Sequence, residues 1–258
     1  ALLRDSVAIK VLRGDLALDA DFVRRFLREG RAARAIRHPN AVTVYDLRTT
    51  DEGLTYMVQE FIDGHTLRAE MTRGAGMGLA DALGFLEPVA AALDEAHAHG
   101  VVHRDLKPEN VMIGAVGERR VVKLTDLGIA KLRETSGESA EAQSALTSPG
   151  QIMGTPHYMS PEQAAGRVRE VSTASDVWSL GVILYQMLSG RVPFPGNHAA
   201  EVMRRIDELN RAAHKMGCDL SAPFMTLSFL SLSPIPALKL TDQGLIDATK
   251  LKKTTLFV

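Results

Sequence analysis

The sequence predicts an α+β fold in which a strand-rich N-terminal part is followed by a mostly helical C-terminal part. Short apolar runs at 7–12, 41–47 and 54–62 have the lengths and residue types of strands. Apolar residues then recur at helical spacing over 79–96, and the segment 175–188 is apolar on nearly all sides, as in a helix buried in a core. With 258 residues, the chain is long enough for a sizeable core in one large or two modest domains.

The composition argues against several kinds of partner. The chain has 30 basic and 31 acidic residues, so its net charge predicts neither a nucleic-acid partner nor binding to an anionic membrane. The single cysteine, Cys218, cannot form an internal disulfide, which fits a reducing compartment and a cytoplasmic location. The longest apolar region, 224–240, is interrupted by Pro234 and Pro236. We therefore do not interpret it as a membrane span.

Two charged residues of the N-terminal part lie within apolar patterns. Lys10 lies inside the strand-like run 7–12, where a solvated lysine is the simplest interpretation. Asp19 or Asp21 can cap the helix that follows. Glu29 lies beside the apolar stripe of that helix, which consists of Phe22, Phe26, Ala33 and Ile36.

Prolines and glycines mark where the predicted helices end or bend. Pro39 ends the first helix, because the residue before a proline disfavours the helical conformation. Gly30 lowers helix propensity by about 1 kcal/mol relative to alanine, so we expect this helix to be easier to displace. Pro88 predicts a kink or a local break in the helix over 79–96. Gly100 follows that helix in the manner of a C-terminal cap.

The stretch from Val101 to Asn110, Val-Val-His-Arg-Asp-Leu-Lys-Pro-Glu-Asn, carries the clearest chemical signal. Asp105 can accept a proton from an attacking hydroxyl group. Lys107 can neutralise developing negative charge, and Asn110 offers an amide oxygen to a hard cation. Phosphoryl transfer needs these three tasks, because its catalysis consists mainly of positioning and charge neutralisation. A polar surface loop is the alternative, but eight constrained positions in order make a chance match rarer than roughly one in a hundred.

A predicted hairpin follows, with a carboxylate at its end. The runs 111–113 and 121–124 form its strands, and Asp126 comes directly after the second. The segment 131–151 is too polar to bury much apolar surface. Its hydroxyl residues are candidate phosphorylation sites, and a phosphate there could pair with Arg104; they are Thr135, Ser136, Ser144, Thr147 and Ser148.

Three histidines near the catalytic stretch invite a metal-site hypothesis. His97, His99 and His103 lie close together in the sequence, but no cysteine accompanies them. Metal ligands also need a convergent geometry that this spacing does not provide by itself. We therefore interpret two of them as loop or helix-surface residues and one as a packed residue.

Together, these motifs resemble those of the eukaryotic-type protein kinases, and in particular the bacterial serine/threonine kinases. Residues 103–110 match the catalytic-loop pattern H-R-D-L-x-x-x-N, and residues 7–10 match the strand pattern V-A-I-K. Residues 126–128 are similar to D-F-G, with leucine in place of phenylalanine. Residues 154–162 are similar to the loop of that family that faces the protein substrate and ends in A-P-E, here with Ser160 in place of alanine.

This resemblance implies a two-lobed, protein-kinase-like fold with a partial N-lobe at 1–63 and a partial, mostly helical C-lobe at 64–205. Lys107-Pro108 and Gly154-Thr155 are typical of the serine/threonine branch. The resemblance lacks the glycine-rich hairpin that covers the phosphates, so we expect an incomplete N-lobe sheet with an unpaired edge. It also lacks the last helices and the arginine that pairs with the glutamate corresponding to Glu162.

The resemblance assigns a role to each motif residue. ATP would bind between the lobes, with Lys10 on its phosphates and Glu29 holding Lys10. Backbone groups of Glu60 to Ile62 would bind the adenine edge beside Gln59. The metal ligands would be Asn110 and Asp126, for magnesium. Asp105 would be the catalytic base and Lys107 its positively charged partner, and Asp176 would brace the loop that carries them.

The C-terminal tail, residues 206–258, resembles the end of bacterial adenine deaminases and not a kinase. An amphipathic helix is predicted from Val202 to Gly217, so that it begins before the tail and ends within it.

Three functions are therefore compared. The first is a protein serine/threonine kinase that uses Mg-ATP. The second is a catalytically impaired kinase fragment that acts as a nucleotide-binding or scaffold module. The third, a piece of a nucleobase deaminase, is disfavoured because that family carries its metal ligands upstream of the matching segment.

Overall fold

The computed structural model describes residues 6–12, 17, 19–72, 76–127 and 156–215. The first sheet contains strands β1 (Val7–Val11), β2 (Val44–Thr49) and β3 (Thr55–Glu60). All pairs are antiparallel and the order is β1-β3-β2. The three predicted strands are thus confirmed, with bounds that differ from the predicted ones by at most three residues.

Helix α1 (Ala20–Ala35) packs against this sheet. Asp19 is its N-cap, and the Asp19 side chain accepts hydrogen bonds from the backbone N–H groups of Asp21 at 2.8 Å and Phe22 at 3.1 Å. The predicted apolar stripe is buried. The helix ends at Ala35, ahead of the proline, because Ile36 is already in an extended conformation.

Gly30 has a packing role that its low helix propensity does not reveal. A Cβ atom at this position would lie 2.1 Å from Cδ2 of Leu47 in β2. The missing side chain therefore lets α1 approach the sheet closely.

The second sheet joins the two halves of the described chain. It contains β4 (Gly64–Thr66), β5 (Val111–Val116) and β6 (Arg119–Leu124), in the order β4-β5-β6. The predicted β5–β6 hairpin is confirmed, and Gly117 in its turn has a φ of 60°. Backbone hydrogen bonds of 2.8 and 2.7 Å connect Leu124 to Val42 and Asn40, so the segment after α1 is attached to the end of β6.

The C-terminal part is helical, as predicted. Its helices are α2 (Leu67–Met71), α3 (Leu79–Ala98), α4 (Pro161–Ala164), α5 (Thr173–Ser189) and α6 (Ala199–Lys215). Short 3₁₀ turns lie at Pro108–Asn110, Pro156–Tyr158 and Val168–Glu170. Within the described chain, every helix is too short or too polar to cross a bilayer.

Packing explains two details of these helices. The local break predicted at Pro88 is not observed, and α3 continues through this residue. The burial of Phe85, Leu86 and Val89 in the core stabilises the helix on both sides of the proline. Helix α6 packs against α4 and the turn Pro156–Tyr158, with Val202 and Ile206 fully buried. The domain boundary predicted between residues 205 and 206 therefore falls inside a helix. The rest of the predicted tail, from residue 216 onward, lies outside the described residues.

Candidate active site

Asp176, near the start of α5, holds the backbone of the catalytic loop. Its carboxylate is fully buried. Oδ2 accepts from the N–H of His103 at 2.8 Å and Oδ1 accepts from the N–H of Arg104 at 2.8 Å. Nε2 of His97, on α3, lies 2.7 Å from the same Oδ2. The predicted bracing by Asp176 is confirmed, and His97 is an additional participant.

Each of the three histidines has a protein partner. His103 is fully buried and its Nε2 lies 2.9 Å from the carbonyl oxygen of Thr125. Nδ1 of His99 lies 2.9 Å from the carbonyl oxygen of Glu95 on the surface of α3. The prediction that one histidine is packed is confirmed for His103.

Two residues beside the site have left-handed backbone conformations. Arg104 has a φ of 68° and Asp126 a φ of 62°. Such conformations are uncommon outside glycine and concentrate at functional sites when the surroundings fix them. The hydrogen bond from the Arg104 N–H to Asp176 is one such fixation.

The catalytic loop brings its three predicted functional side chains together. Nζ of Lys107 lies 2.6 Å from Oδ2 of Asp105. Nδ2 of Asn110 donates to the carbonyl oxygen of Asp105 at 2.7 Å. This bond orients the amide of Asn110, so that its oxygen stays available to a cation.

The end of the β5–β6 hairpin places the second carboxylate beside this loop. The N–H of Thr125 donates to the carbonyl oxygen of Asn110 at 2.9 Å, and Asp126 follows. Oδ1 of Asp126 lies 2.7 Å from Nζ of Lys10. Hydrogen bonds and one ion pair thus connect Asp105 to Lys10 through Asn110 and the hairpin.

The predicted ion pair between Lys10 and Glu29 is not present in this structure. Lys10 binds Asp126, and Oε1 of Glu29 accepts from Nε and Nη2 of the adjacent Arg28 at 3.1 and 3.0 Å. Arg28 offers Glu29 a counter-charge on the same helix. Because side-chain exposures of 40% for Lys10 and 31% for Asp126 make their attraction weak, small energies decide between the two pairings.

Glu60, at the end of β3, is held from both sides. Its N–H donates to the carbonyl oxygen of Thr43 at 2.9 Å, and its Oε2 accepts from the N–H of Thr43 at 3.1 Å. Lys123 of β6 lies 2.7 Å from Oε1. The Glu60 N–H is therefore engaged, and the adenine contact stays a prediction for the other backbone groups from Glu60 to Ile62.

A small cavity of about 10 Å³ lies between Gln59 and Asp126. Leu127, which replaces the usual phenylalanine, lines this cavity and is buried. Such a volume is close to the minimum that one water molecule needs.

The segment around Ser160 contacts the catalytic loop from its other side. The side chain of Gln163 accepts from the N–H of Ser160 at 3.1 Å and donates to the carbonyl oxygen of Arg104 at 2.7 Å. In place of an arginine, Oε1 of Glu162 accepts a hydrogen bond from the hydroxyl of Ser175. Sequence reasoning missed Gln163 because no motif position identifies it.

Several predicted features lie outside the described residues. They are Gly128, the five candidate phosphorylation sites within 131–151, and the pair Gly154-Thr155.

Comparison with known proteins agrees with this geometry. The sequence matches the protein kinase domain family over residues 3–234. It is 38% identical over 201 residues to the serine/threonine-protein kinase PrkC of Bacillus subtilis. The matched region covers 78% of this chain and 29% of that protein. It is 41% identical over 207 residues to the serine/threonine-protein kinase PknA of Mycobacterium tuberculosis, and the matched region covers 78% of this chain and 45% of that protein. With drp72 of Corynebacterium efficiens, the identity is 40% over 240 residues, covering 92% and 43%.

The chain spans less than half the length of each of these three relatives. The family match also continues past residue 205, beyond the range that the motifs alone cover. It includes the catalytic loop, Lys10 and Asp126. The chain therefore belongs to the protein kinase domain family.

Proposed function

We propose that this chain is a serine/threonine protein kinase domain that transfers the γ-phosphoryl group of ATP to hydroxyl groups of protein substrates. The observation that carries the proposal is the contact between the catalytic loop and the hairpin end, which gathers Asp105, Lys107, Asn110, Asp126 and Lys10. The serine/threonine branch is supported by Lys107-Pro108 and by the names of the relatives. A cytoplasmic location for this domain is part of the proposal, supported by the single cysteine.

Asp105 would orient the acceptor hydroxyl and take its proton. The hydroxyl oxygen forms a bond to the γ-phosphorus while the bond from that phosphorus to the bridging oxygen of ADP breaks. Lys107, paired with Asp105 at 2.6 Å, would offset negative charge on the transferring group. The loop can hold these groups in place because Asp176 binds its backbone at two points.

The residues at the hairpin end fit a magnesium ion. Protein kinases as a family use ATP with Mg²⁺, held by an aspartate and an asparagine. Asp126 and Asn110 supply oxygen atoms, the ligands that Mg²⁺ prefers. When bound, Mg²⁺ neutralises charge on the phosphate oxygens.

Lys10 would bind the phosphates of ATP. Its ammonium group is already directed at Asp126 (Lys10 Nζ to Oδ1, 2.7 Å), on the side where the phosphates would lie. Glu29, whose Oε1 pairs with Arg28 in this structure, would turn its carboxylate towards Lys10 and hold it there. Glu60 and Ile62 would contribute backbone groups to adenine, with Glu60 fixed by Lys123.

The proposal is tested by γ-phosphate transfer from Mg-ATP to a generic basic protein. Asp105→Asn should reduce kcat by about 10²–10⁴-fold, the usual contribution of a general base. Asp207→Asn, which removes an exposed carboxylate on α6, is the matched control and should keep full activity. Transfer that is equally fast with Asp105→Asn would contradict the assigned base. No transfer by the unsubstituted chain would favour the nucleotide-binding or scaffold alternative.

A further inference from the structure

Arg68 of α2 joins the catalytic loop to the segment that leads to Ser160. Its Nε donates to Oε1 of Glu109 at 2.8 Å. Its Nη2 donates to the hydroxyl of Tyr158, and its guanidinium group lies over the Tyr158 ring, 5.7 Å from the centroid. One side chain thus contacts the residue before Asn110 and a residue of the turn Pro156–Tyr158.

Tyr158 is fixed on its other sides by α5. It is 3% exposed. Its hydroxyl donates to Oε1 of Gln186 at 2.5 Å, and its carbonyl oxygen accepts from the hydroxyl of Ser179 at 2.7 Å. Burial raises the pKa of Tyr158, so the phenol keeps the proton that it donates to Gln186. Tyr158 therefore transmits to the turn any constraint that Arg68 imposes.

Glu109 depends on Arg68 for its pairing. Oε1 accepts from Arg68, whereas Oε2 is buried without a hydrogen-bond partner within the described part of the chain. Removal of Arg68 would leave a carboxylate of the catalytic loop without this counter-charge, which is costly for a partly buried group.

The segment from Pro156 to Gln163 is therefore attached to the catalytic loop at two points. Gln163 binds the carbonyl oxygen of Arg104, on one side of Asp105. Through Tyr158, Arg68 binds the segment to Glu109, on the other side of Asp105 and Lys107. Two attachments that flank the base restrict how far the segment can move relative to it.

Because the acceptor hydroxyl must reach Asp105, the acceptor has to bind beside the segment that is attached on both sides of this base. We propose that Arg68 is a positioning residue for the protein acceptor, acting by holding the segment 156–160 in a fixed place relative to Asp105. The inference rests on the proposed kinase function. It gives Arg68 no contact with ATP or with the reacting atoms. Its loss should therefore weaken the use of the protein acceptor and leave the use of ATP unchanged.

The first test compares Michaelis constants. Arg68→Met keeps the apolar stem of the side chain and removes the charge and its hydrogen bonds. The KM for the protein acceptor should rise about tenfold, as expected for the loss of hydrogen bonds to a charged group. The KM for ATP should change by less than about twofold. Arg68→Lys keeps the charge without the planar fork, so we expect an intermediate acceptor KM.

Arg120→Met is the matched control. Arg120, on β6, also lies over an aromatic ring, that of Phe85 on α3, at 4.3 Å from the centroid. This variant loses a contact of the same kind away from the catalytic loop, and both KM values should stay unchanged. An equal rise of the acceptor KM in both arginine variants would overturn the inference.

A double-mutant cycle tests the path of the effect. If Arg68 acts through Tyr158, then Arg68→Met should raise the acceptor KM less in a Tyr158→Phe background than in the unsubstituted chain. Full additivity of the two substitutions would overturn this path.

Amide hydrogen exchange tests the same link without any activity. The backbone N–H groups of residues 157–160 should exchange faster in Arg68→Met than in the unsubstituted chain or in Arg120→Met. Unchanged exchange would overturn the inference even for an active enzyme. If the unsubstituted chain shows no transfer that depends on Asp105, the proposed function is overturned. The exchange data would still decide the role of Arg68, because they require no activity.

Discussion

Replacement of Asp176 by asparagine is the most direct test of how the active-site loop is held. The carboxylate is fully buried. It accepts hydrogen bonds from two backbone N–H groups, those of His103 and Arg104, at 2.8 Å each. The Nε2 of His97, at 2.7 Å, must donate as well, because an ionised carboxylate only accepts.

Asparagine can satisfy only part of this arrangement. It keeps one oxygen and replaces the other by an NH₂ group, which would face an N–H donor. If the oxygen stays near His103 and His97, the bond from Arg104 is lost. The remaining two bonds also lose the charge of their acceptor. Hydrogen bonds to charged groups are worth about 1.5–3 kcal/mol each, so we expect Asp176→Asn to lower the free energy of unfolding by about 3–5 kcal/mol.

Urea unfolding at neutral pH measures this loss. The control is Asp207→Asn, because Asp207 pairs with Arg211 on the surface of α6 with a side-chain exposure of 46%. Such pairs contribute about 0–1 kcal/mol. A loss below about 1 kcal/mol for Asp176→Asn, similar to the control, would refute the argument that this buried carboxylate anchors the loop.

Two further predictions concern packing and pH. Gly64→Ala should destabilise the protein by about 1–3 kcal/mol because its Cβ would lie 2.0 Å from the carbonyl oxygen of Ile113. Gly84→Ala, where a Cβ would meet its nearest neighbour at 3.4 Å, should stabilise α3 by up to about 1 kcal/mol; equal urea midpoints for the two variants would contradict this. Burial, and then the charge of Arg68, lower the pKa of His157 below 6.5. At a pH below 6.5 the unfolded chain therefore binds a proton at His157 more readily than the folded chain does. The free energy of unfolding should consequently fall as the pH decreases from 6.5 through the pKa of His157 in the folded chain. His157→Gln should remove that part of the pH dependence, and an unchanged acid slope would show that another group causes it.

The local part of the active site could be predicted because few residues separate its members. Asp105, Lys107 and Asn110 lie on one loop, so any compact conformation brings them near each other. The hairpin then fixes the position of Asp126. Because Val111 pairs with Leu124 in the register of β5 and β6, the residues after Leu124 must lie beside Asn110.

The pairing of Lys10 could not be predicted from the same motifs. Two carboxylates, those of Glu29 and Asp126, are candidates for one ammonium group, and Arg28 competes for Glu29. The pair that forms has side-chain exposures of 40% and 31%, so it contributes little to stability. A motif specifies which charges are present. It does not specify which of them pair when the competing pairs differ little in energy.

Three contacts that hold the site in place share a property that explains why the sequence does not reveal them. Arg68 binds Tyr158 across 90 positions, Lys123 binds Glu60 across 63, and Gln163 binds Arg104 across 59. Each joins two different elements through side chains, so neither helical nor strand periodicity reports it. In each pair, one partner lies in or beside a motif and the other, Arg68, Lys123 or Gln163, has no assigned motif role. The motifs therefore define the chemistry of phosphoryl transfer. Partners outside the motifs determine where the segment 156–160 and the end of β3 lie relative to the catalytic loop. Substitutions at these three positions should consequently change the use of substrates more than the rate of the chemical step.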